Sequence, residues 1–273
     1  TISRISTSPT RTRTPIRRRW MLPRRRSAGD TDVMQTLFRG FYPRIHDKGL
    51  DPQRWLRDYY QTYVERDVRE IVNVGDIETF GRYVRLCAGR NGQLLNLSSL
   101  ANDCGITHTT AKRWLSVLEA TYQVTVLRPY FANVGKRLVK TPKVYFTDVG
   151  TLCYFAGLKD PVHAASGPMG GAIMETAVLS EIIKTLTHRG IDPQVYFWRT
   201  VAGTEVDIVV EAGAKLVPIE VKLSATPRSA MASALKTFLK DFGDKVLEGY
   251  VVHPGDITLS LGSGITALPF SEL

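Results

Sequence analysis

Apolar and aromatic residues recur every three to four positions in the first third of the chain, a spacing that predicts amphipathic helices. In the segment DPQRWLRDYYQTYVERDVREI, the apolar stripe consists of Trp55, Tyr59, Tyr63 or Val64, and Val68. The same spacing predicts a second helix over residues 77–88. Both helices carry charged residues on their other faces, so we interpret them as packing elements.

Residues 94–130 follow the pattern of a helix–turn–helix. Ser98 is placed to cap a short first helix, and Gly105 supplies the turn. Thr107 is placed to cap a second helix over residues 108–120. The residues of this helix that we expect to face inward are Ala111, Trp114, Leu115 and Leu118. Two β-rich segments follow, VTVLRPY and KVYFTDV, and we expect them to form the wing of a winged helix.

In a DNA-binding winged helix, the second helix enters the major groove and the wing reaches the phosphates. The candidates for nucleic-acid contact are His108, Thr109, Lys112 and Arg113 on the helix and Lys136, Arg137 and Lys140 on the wing. A winged helix that docks a protein instead of DNA fits the same pattern. Both interpretations stay open.

The second half of the chain changes to a pattern of mixed helices and strands. It begins with a joint rich in small residues, AASGPMGG, at residues 164–171. The predicted elements are a helix over 172–187, strands over 194–200, 205–210 and 215–223, a helix over 231–242 and a strand over 246–252. This order indicates an α/β domain with a mixed sheet.

The strand segment TEVDIVV places an acidic residue among apolar ones. Strict alternation puts Val206, Ile208 and Val210 on one face and Asp207 on the opposite face. Arg199, on the preceding strand, is expected to pair with one of the acids proposed for metal binding when no metal is bound.

Glu220 and Lys222 alternate in the next strand, IEVKLS, and are expected to converge with Asp207. Glu175 lies on the helix stripe that would face the sheet, where a carboxylate is costly unless it is paired or ligates a metal. Two or three carboxylates with a lysine fit a hard divalent cation, above all Mg²⁺, with Lys222 stabilising developing charge. The alternative is a structural ion pair between Lys222 and Glu220 or Asp207.

The net charge of +10 is concentrated in the first 29 residues, which hold nine arginines and no acid, so the rest of the chain carries +1. We expect residues 1–30 to be disordered, either as a basic arm for nucleic acid or as a translated out-of-frame or truncated start. Three cysteines without a C-x-x-C pair argue against a disulfide framework and a thiolate zinc site. The sequence lacks a long apolar run and a secretory signal, so we expect a cytoplasmic protein without membrane contact.

The charged residues resemble the motif of the PD-(D/E)XK nuclease superfamily, in which a helix carries a Glu, a strand carries the Asp and another strand carries E-x-K. The resemblance implies that Asp207 and Glu220 are metal ligands and catalytic residues. It also implies that Lys222 is the catalytic lysine and that Glu175 is an auxiliary metal-binding acid. Val206 stands where the motif has a proline.

A longer resemblance covers residues 36–273. The segments LFRGFYPRIHD, WLRDYYQTYVERDVREI, GKRLVKTPKVYFTDVGTLCYFAGL, TEVDIVV and IEVKLS occur in the order seen in the C-terminal half of a family of prokaryotic AAA-type ATP-binding proteins. The resemblance implies a helical remnant of an ATPase module over 31–90, a winged helix over 91–163 and a restriction-endonuclease-like α/β domain over 164–273. The overall class is α/β, or α+β for the whole chain. The sequence has no G-x-x-x-x-G-K-S/T loop, so we expect neither an ATP site nor ATPase activity.

Two functions fit these features. The first is a truncated ATPase-family protein that associates with DNA and has a Mg²⁺-dependent nuclease-like site. The second is a non-enzymatic module whose inactive nuclease-like scaffold binds a protein partner or a separate ATPase, through the winged helix or the helical region. The nearly neutral charge beyond residue 29 favours the second, whereas the complete set of four charged residues favours the first.

Overall fold

The computed structural model of the protein describes residues 33–68, 77–131 and 138–273. The Arg-rich segment 1–30 lies outside these residues. The helices in the first part of the chain are Val33–Arg39 (α1), Pro43–Asp47 (α2), Pro52–Tyr63 (α3), Ile77–Gly89 (α4), Leu97–Cys104 (α5), His108–Ala120 (α6), Val149–Phe155 (α7) and Pro161–Ser166 (α8).

The predicted apolar stripe of α3 packs as expected. The helix continues into a π-helical turn at Val64–Val68. The rings of Trp55 and Tyr59 stack with their centroids 5.1 Å apart, and Tyr63 and Val68 are buried. The stripe is therefore buried at its C-terminal end and half-buried at Trp55 and Tyr59.

The two helices of the predicted helix–turn–helix form at the expected positions. The hydroxyl of Thr107 accepts a backbone N–H at 3.1 Å and caps α6, and Gly105 takes the left-handed conformation that ends α5. The prediction for the first cap is wrong, because Asn96 and not Ser98 accepts the capping N–H, at 2.9 Å. Since α5 begins at Leu97, Ser98 already lies inside the helix.

One mixed sheet of eight strands spans the described residues, in the order β2-β1-β3-β4-β5-β6-β8-β7. The strands are Val124–Pro129 (β1), Lys143–Phe146 (β2), Val195–Arg199 (β3), Glu205–Ala212 (β4), Lys215–Val221 (β5), Gly249–His253 (β6), Leu259–Gly262 (β7) and Ile265–Pro269 (β8). The helices of the second part are Gly170–His188 (α9) and Ser233–Phe242 (α10). β7 and β8 extend the sheet beyond the elements that the sequence predicts.

The strands predicted to form a wing also join this sheet. β1 pairs with β2 in an antiparallel hairpin, as a wing would. β1 additionally pairs in parallel with β3, where Arg128 lies opposite Tyr196 and Pro129 opposite Phe197. The helix–turn–helix region and the downstream α/β region are therefore connected through continuous strand pairing.

The sheet lies between α9 on one face and α10 on the other, a three-layer arrangement with a hydrophobic core on each side. On the α9 side the core includes Ile173, Met174, Ala177, Ile208, Val210, Val217 and Ile219. On the α10 side it includes Trp198, Val206, Val209, Leu235, Phe238, Phe242 and Val251. None of the helices in the described part of the chain has the length and apolar character that crossing a membrane requires.

β4 does not alternate strictly between the two cores. The pairing register with β3 shifts by one residue, so β4 has a β-bulge with one extra residue at Asp207–Ile208. As a result Val206 packs on the α10 side, whereas Ile208 and Val210 pack on the α9 side. The expectation that these three side chains share one face is wrong.

Candidate active site

Charged side chains meet where β2, β4 and β5 come close to α9. They are Lys143 on β2, Glu175 on α9, Glu205 and Asp207 on β4, Glu220 on β5 and Lys222 directly after β5. The structure therefore brings together the four residues that the sequence predicts for catalysis and metal binding. The cluster also contains Lys143 and Glu205, which the sequence analysis did not predict as site residues.

Asp207 is held in place by the backbone of the neighbouring strand. Its Oδ2 accepts the N–H of Val221 at 2.8 Å, at the end of the β4–β5 pairing. Burial raises the pKa of Asp207. The N–H of Val221 and the charge of Lys143 lower this pKa by a smaller amount, so it is raised overall. The charge of Lys222 acts on Asp207, and the charge of Asp207 acts on Glu220, so these side chains lie close together.

Glu220 and Lys222 form an ion pair with 2.5 Å between Nζ and Oε1. Glu220 is only 7% exposed, and burial together with the nearby charge of Asp207 raises its pKa to about 8. In the described part of the chain, its second oxygen, Oε2, is buried and has no hydrogen-bond partner. The ion pair that the sequence suggested as a structural alternative is therefore present, but it leaves one carboxylate oxygen unused.

Glu175 is placed on the sheet-facing side of α9, as the sequence predicts. Its Oε1 accepts a short hydrogen bond from the hydroxyl of Tyr145 and lies 3.4 Å from Nζ of Lys143. Burial, followed by the charge of Asp207, raises the pKa of Glu175 to about 7. The carboxylate of Glu175 is thus already bound by groups from β2.

Lys143, like Glu205, is a charged residue of this cluster that the sequence analysis did not find. It is only 4% exposed, and its ammonium forms a second, short ion pair with Glu205. Burial lowers the pKa of Lys143, but the carboxylates of Glu175 and Glu205 outweigh burial and raise it overall. A signal was present in the sequence KVYF, where Lys143 and Tyr145 alternate with two apolar residues and so share one face of the strand.

Arg199 pairs with a different acid from those expected. Its Nη1 lies 2.8 Å from Oε2 of Glu205, and the expectation that it would bind Asp207, Glu220 or Glu175 is wrong. The cause is the β3–β4 register, which places Arg199 directly opposite Glu205. Glu205 therefore accepts from Arg199 through one oxygen and from Lys143 through the other.

Residues between α4 and α5 connect β2 to α9 beside the site. The amide of buried Asn91 donates to Thr176 Oγ1 on α9 and accepts the N–H of Phe146 on β2, each at 2.8 Å. Gly92 has a φ of +75°, and a Cβ there would lie 3.4 Å from the ring of Tyr145. These contacts fix β2 against α9 beside the Tyr145 hydrogen bond.

The three predicted metal ligands do not form a single ligand set. Among the described residues, no three His, Cys, Asp or Glu side chains are arranged to hold one metal ion. The site offers two carboxylates in the neighbourhood of Lys222, from Asp207 and Glu220, while Glu175 is bound to Lys143 and Tyr145. Their roles in metal binding and catalysis remain predictions.

The predicted nucleic-acid contacts are exposed wherever the structure describes them. On α6 the exposed candidates are His108, Thr109, Lys112 and Arg113, and Lys140, which precedes β2, is also exposed. The other two wing candidates, Lys136 and Arg137, lie outside the described residues.

Comparisons with known proteins divide the chain between residue 162, inside α8, and residue 170, the first residue of α9. Residues 30–162 match a domain of unknown function (DUF8612), and residues 170–273 match another domain of unknown function (DUF4143). The chain is also 29% identical over 223 residues to the uncharacterized proteins Rv2008c of Mycobacterium tuberculosis and Mb2031c of Mycobacterium bovis. No solved structure matches it.

The alignment with each mycobacterial protein covers 82% of this chain and 49% of the relative. The chain therefore spans about half the length of the curated relatives it matches. The site combines residues of both matched domains, since Lys143 and Tyr145 belong to the first and Glu175, Asp207 and Glu220 to the second.

Proposed function

We propose that the protein associates with nucleic acid and hydrolyses phosphodiesters at a nuclease-like site that depends on a divalent cation. The observation that carries this proposal is the buried Oε2 of Glu220, which has no hydrogen-bond partner among the described residues. A buried carboxylate oxygen without a donor is costly, and the neighbouring charge of Asp207 increases the cost. A cation bound between these carboxylates would remove both penalties.

Asp207 and Glu220 are the residues that would hold the cation, and the donor set fits Mg²⁺. Magnesium is usually bound through one or two carboxylates and keeps several waters, so a third protein carboxylate is not required. When bound, the ion polarises a phosphodiester and lowers the pKa of a water molecule. The N–H of Val221 fixes Asp207 for this purpose before any ligand arrives.

Lys222 would act on the phosphate group. Its side chain is 35% exposed, while that of its partner Glu220 is 9% exposed, so the lysine lies at the solvent-accessible side of the site. An ammonium at this position stabilises negative charge that develops on a phosphate oxygen. Its contact with Glu220 also holds that carboxylate in orientation.

The order of elements supports a nuclease-like fold of the PD-(D/E)XK kind. α9 carries the glutamate, β4 carries the aspartate and β5 carries the E-x-K segment, and the two strands are antiparallel neighbours in the sheet. The partial coverage of the mycobacterial relatives is consistent with our proposal that the chain corresponds to the C-terminal half of AAA-type ATP-binding proteins. The exposed cations of α6 support DNA as the substrate.

The test is cleavage of labelled DNA by the full chain in Mg²⁺ or Mn²⁺. We expect the wild type to cleave the DNA and Asp207→Asn to lose this activity. We also expect the chain to stay folded in EDTA. The matched control is Glu211→Gln, which removes a carboxylate from the same strand without touching the site. Equal activity of Asp207→Asn and the wild type would show that any cleavage comes from elsewhere.

A second candidate function is a docking module for a protein partner. The observation in its favour is the net charge of only +1 beyond residue 29, because proteins that bind duplex DNA usually present a strongly basic surface. In this case the wild type neither cleaves nor binds DNA, and the carboxylates serve as structural ion-pair partners.

A further inference from the structure

We propose that the ammonium of Lys143 is a built-in cation that occupies a second cation position, so that the site takes one divalent ion and not two. The proposal deepens the proposed function and rests on it. It concerns the part of the site formed by Glu175 and Glu205, which is distinct from the pair Asp207 and Glu220.

The geometry around Lys143 is that of a cation held between carboxylates. Its Nζ contacts Oε1 of Glu175 on α9 and Oε1 of Glu205 on β4. Its side chain is only 5% exposed, so these contacts are shielded from water. The buried ammonium neutralises the charge of Glu175 and shares Glu205 with Arg199.

Other side chains also bind the carboxylates of Glu175 and Glu205. Glu175 Oε1 also accepts from the hydroxyl of Tyr145, and Glu205 Oε2 lies 2.8 Å from Arg199. Three carboxylate oxygens of this pair are therefore already bound by protein groups. By contrast, Oε2 of Glu220 has no partner within the described residues. The buried oxygen without a donor therefore lies on the Asp207–Glu220 side of the site.

Lys143 reaches the site from outside the domain that carries the carboxylates. It begins β2, within the region matching the first domain, whereas the four acids lie within the region matching the second. The contacts of β2 with α9 therefore complete the charge balance of the site. The positive charge supplied in this way is permanent and does not depend on the concentration of metal ions.

The experiment counts Mn²⁺ ions bound per full chain, by calorimetry and by electron paramagnetic resonance of free Mn²⁺. We expect one ion in the wild type and in Lys143→Arg, which keeps the charge. We expect two ions in Lys143→Ala, because removal of the ammonium frees Glu175 and Glu205 for a divalent cation. The double variant Lys143→Ala/Glu205→Gln should return to one.

Unfolding curves with and without Mn²⁺ provide a second readout. Since an ion that binds only the folded state stabilises it, Mn²⁺ should raise the Tm of Lys143→Ala by more than that of the wild type. If Lys143→Ala is unfolded in the absence of metal, Mn²⁺ should restore its far-ultraviolet circular dichroism.

Two results would overturn the proposal: two ions bound by the wild type, or no additional ion and no additional stabilisation in Lys143→Ala. The proposed function fails in a different way. If the wild type binds no ion and Lys143→Ala binds one, the second cation position exists as proposed while the Asp207–Glu220 site does not bind metal.

Discussion

Nζ of Lys143 lies 3.4 Å from Oε1 of Glu175, joining the first residue of β2 to the sheet-facing side of α9. The two residues belong to regions that match different domains, yet they share one buried charge network with Glu205. The site is therefore part of the interface between the two regions, and its chemistry and the stability of the chain are linked.

We predict that Lys143→Met destabilises the protein by about 3–5 kcal/mol, because it removes the buried counter-charge of Glu175 and leaves Glu205 paired with Arg199 alone. Urea unfolding followed by circular dichroism measures this loss. The matched control is Lys140→Met, three residues earlier in the chain, where the lysine is exposed. A loss below about 1 kcal/mol for Lys143→Met would mean that other groups balance the carboxylates.

Asn91→Ala should cost about 1–3 kcal/mol, since it removes the acceptor of the buried N–H of Phe146. Asn102→Ala, in the exposed part of α5, is the control and should change the free energy of unfolding by less than about 0.5 kcal/mol. Equal stabilities of the two variants would contradict a supporting role of Asn91 in fixing β2 against α9.

The sequence predicted the local elements well because their signals are local. Thr107 caps α6 where a hydroxyl precedes the apolar periodicity, and Glu175 lies on the predicted sheet-facing stripe of α9. The alternation in KVYF placed Lys143 and Tyr145 on one face, but the sequence did not predict that β2 reaches the site, because the parallel pairing of β1 with β3 leaves no local signal. The bulge at Asp207 was missed for a related reason, since periodicity assumes strict alternation and a bulge breaks it.

Without metal, the stability of the protein should fall as pH rises. Folding raises the pKa of Glu220 from its ordinary 4.5 to about 8, so the folded state holds a proton that the unfolded state releases. The contribution is complete below about pH 4.5 and is lost as the pH passes through about 8, which amounts to a loss on the order of 5 kcal/mol.

Glu220→Gln removes this titration and should flatten the dependence between pH 5 and pH 8, leaving the smaller fall caused by Glu175, whose pKa is about 7. Urea unfolding at several pH values measures both slopes. Added Mg²⁺ should counteract the loss in the wild type and have no such effect in Glu220→Gln. A wild-type stability that rises over this range would show that Glu220 is ionised in the folded protein.

If α6 contacts DNA, removing its two exposed cations should reduce the salt dependence of binding. Each phosphate contact contributes about one to the slope of log K against log salt concentration, so Lys112→Ala/Arg113→Ala should lower the slope by about two. Fluorescence anisotropy at several salt concentrations measures this slope. The control, Lys236→Ala/Lys240→Ala on α10, removes the same charge elsewhere and should leave the slope unchanged.

The most direct test of the account is calorimetric titration of Mn²⁺ into the full chain and into Asp207→Asn. The asparagine keeps an acceptor for the N–H of Val221, so the variant loses charge without losing this hydrogen bond. We predict one bound ion in the wild type and none in the variant. Absence of binding in both proteins, or equal binding in both, would contradict a cation site at Asp207 and Glu220.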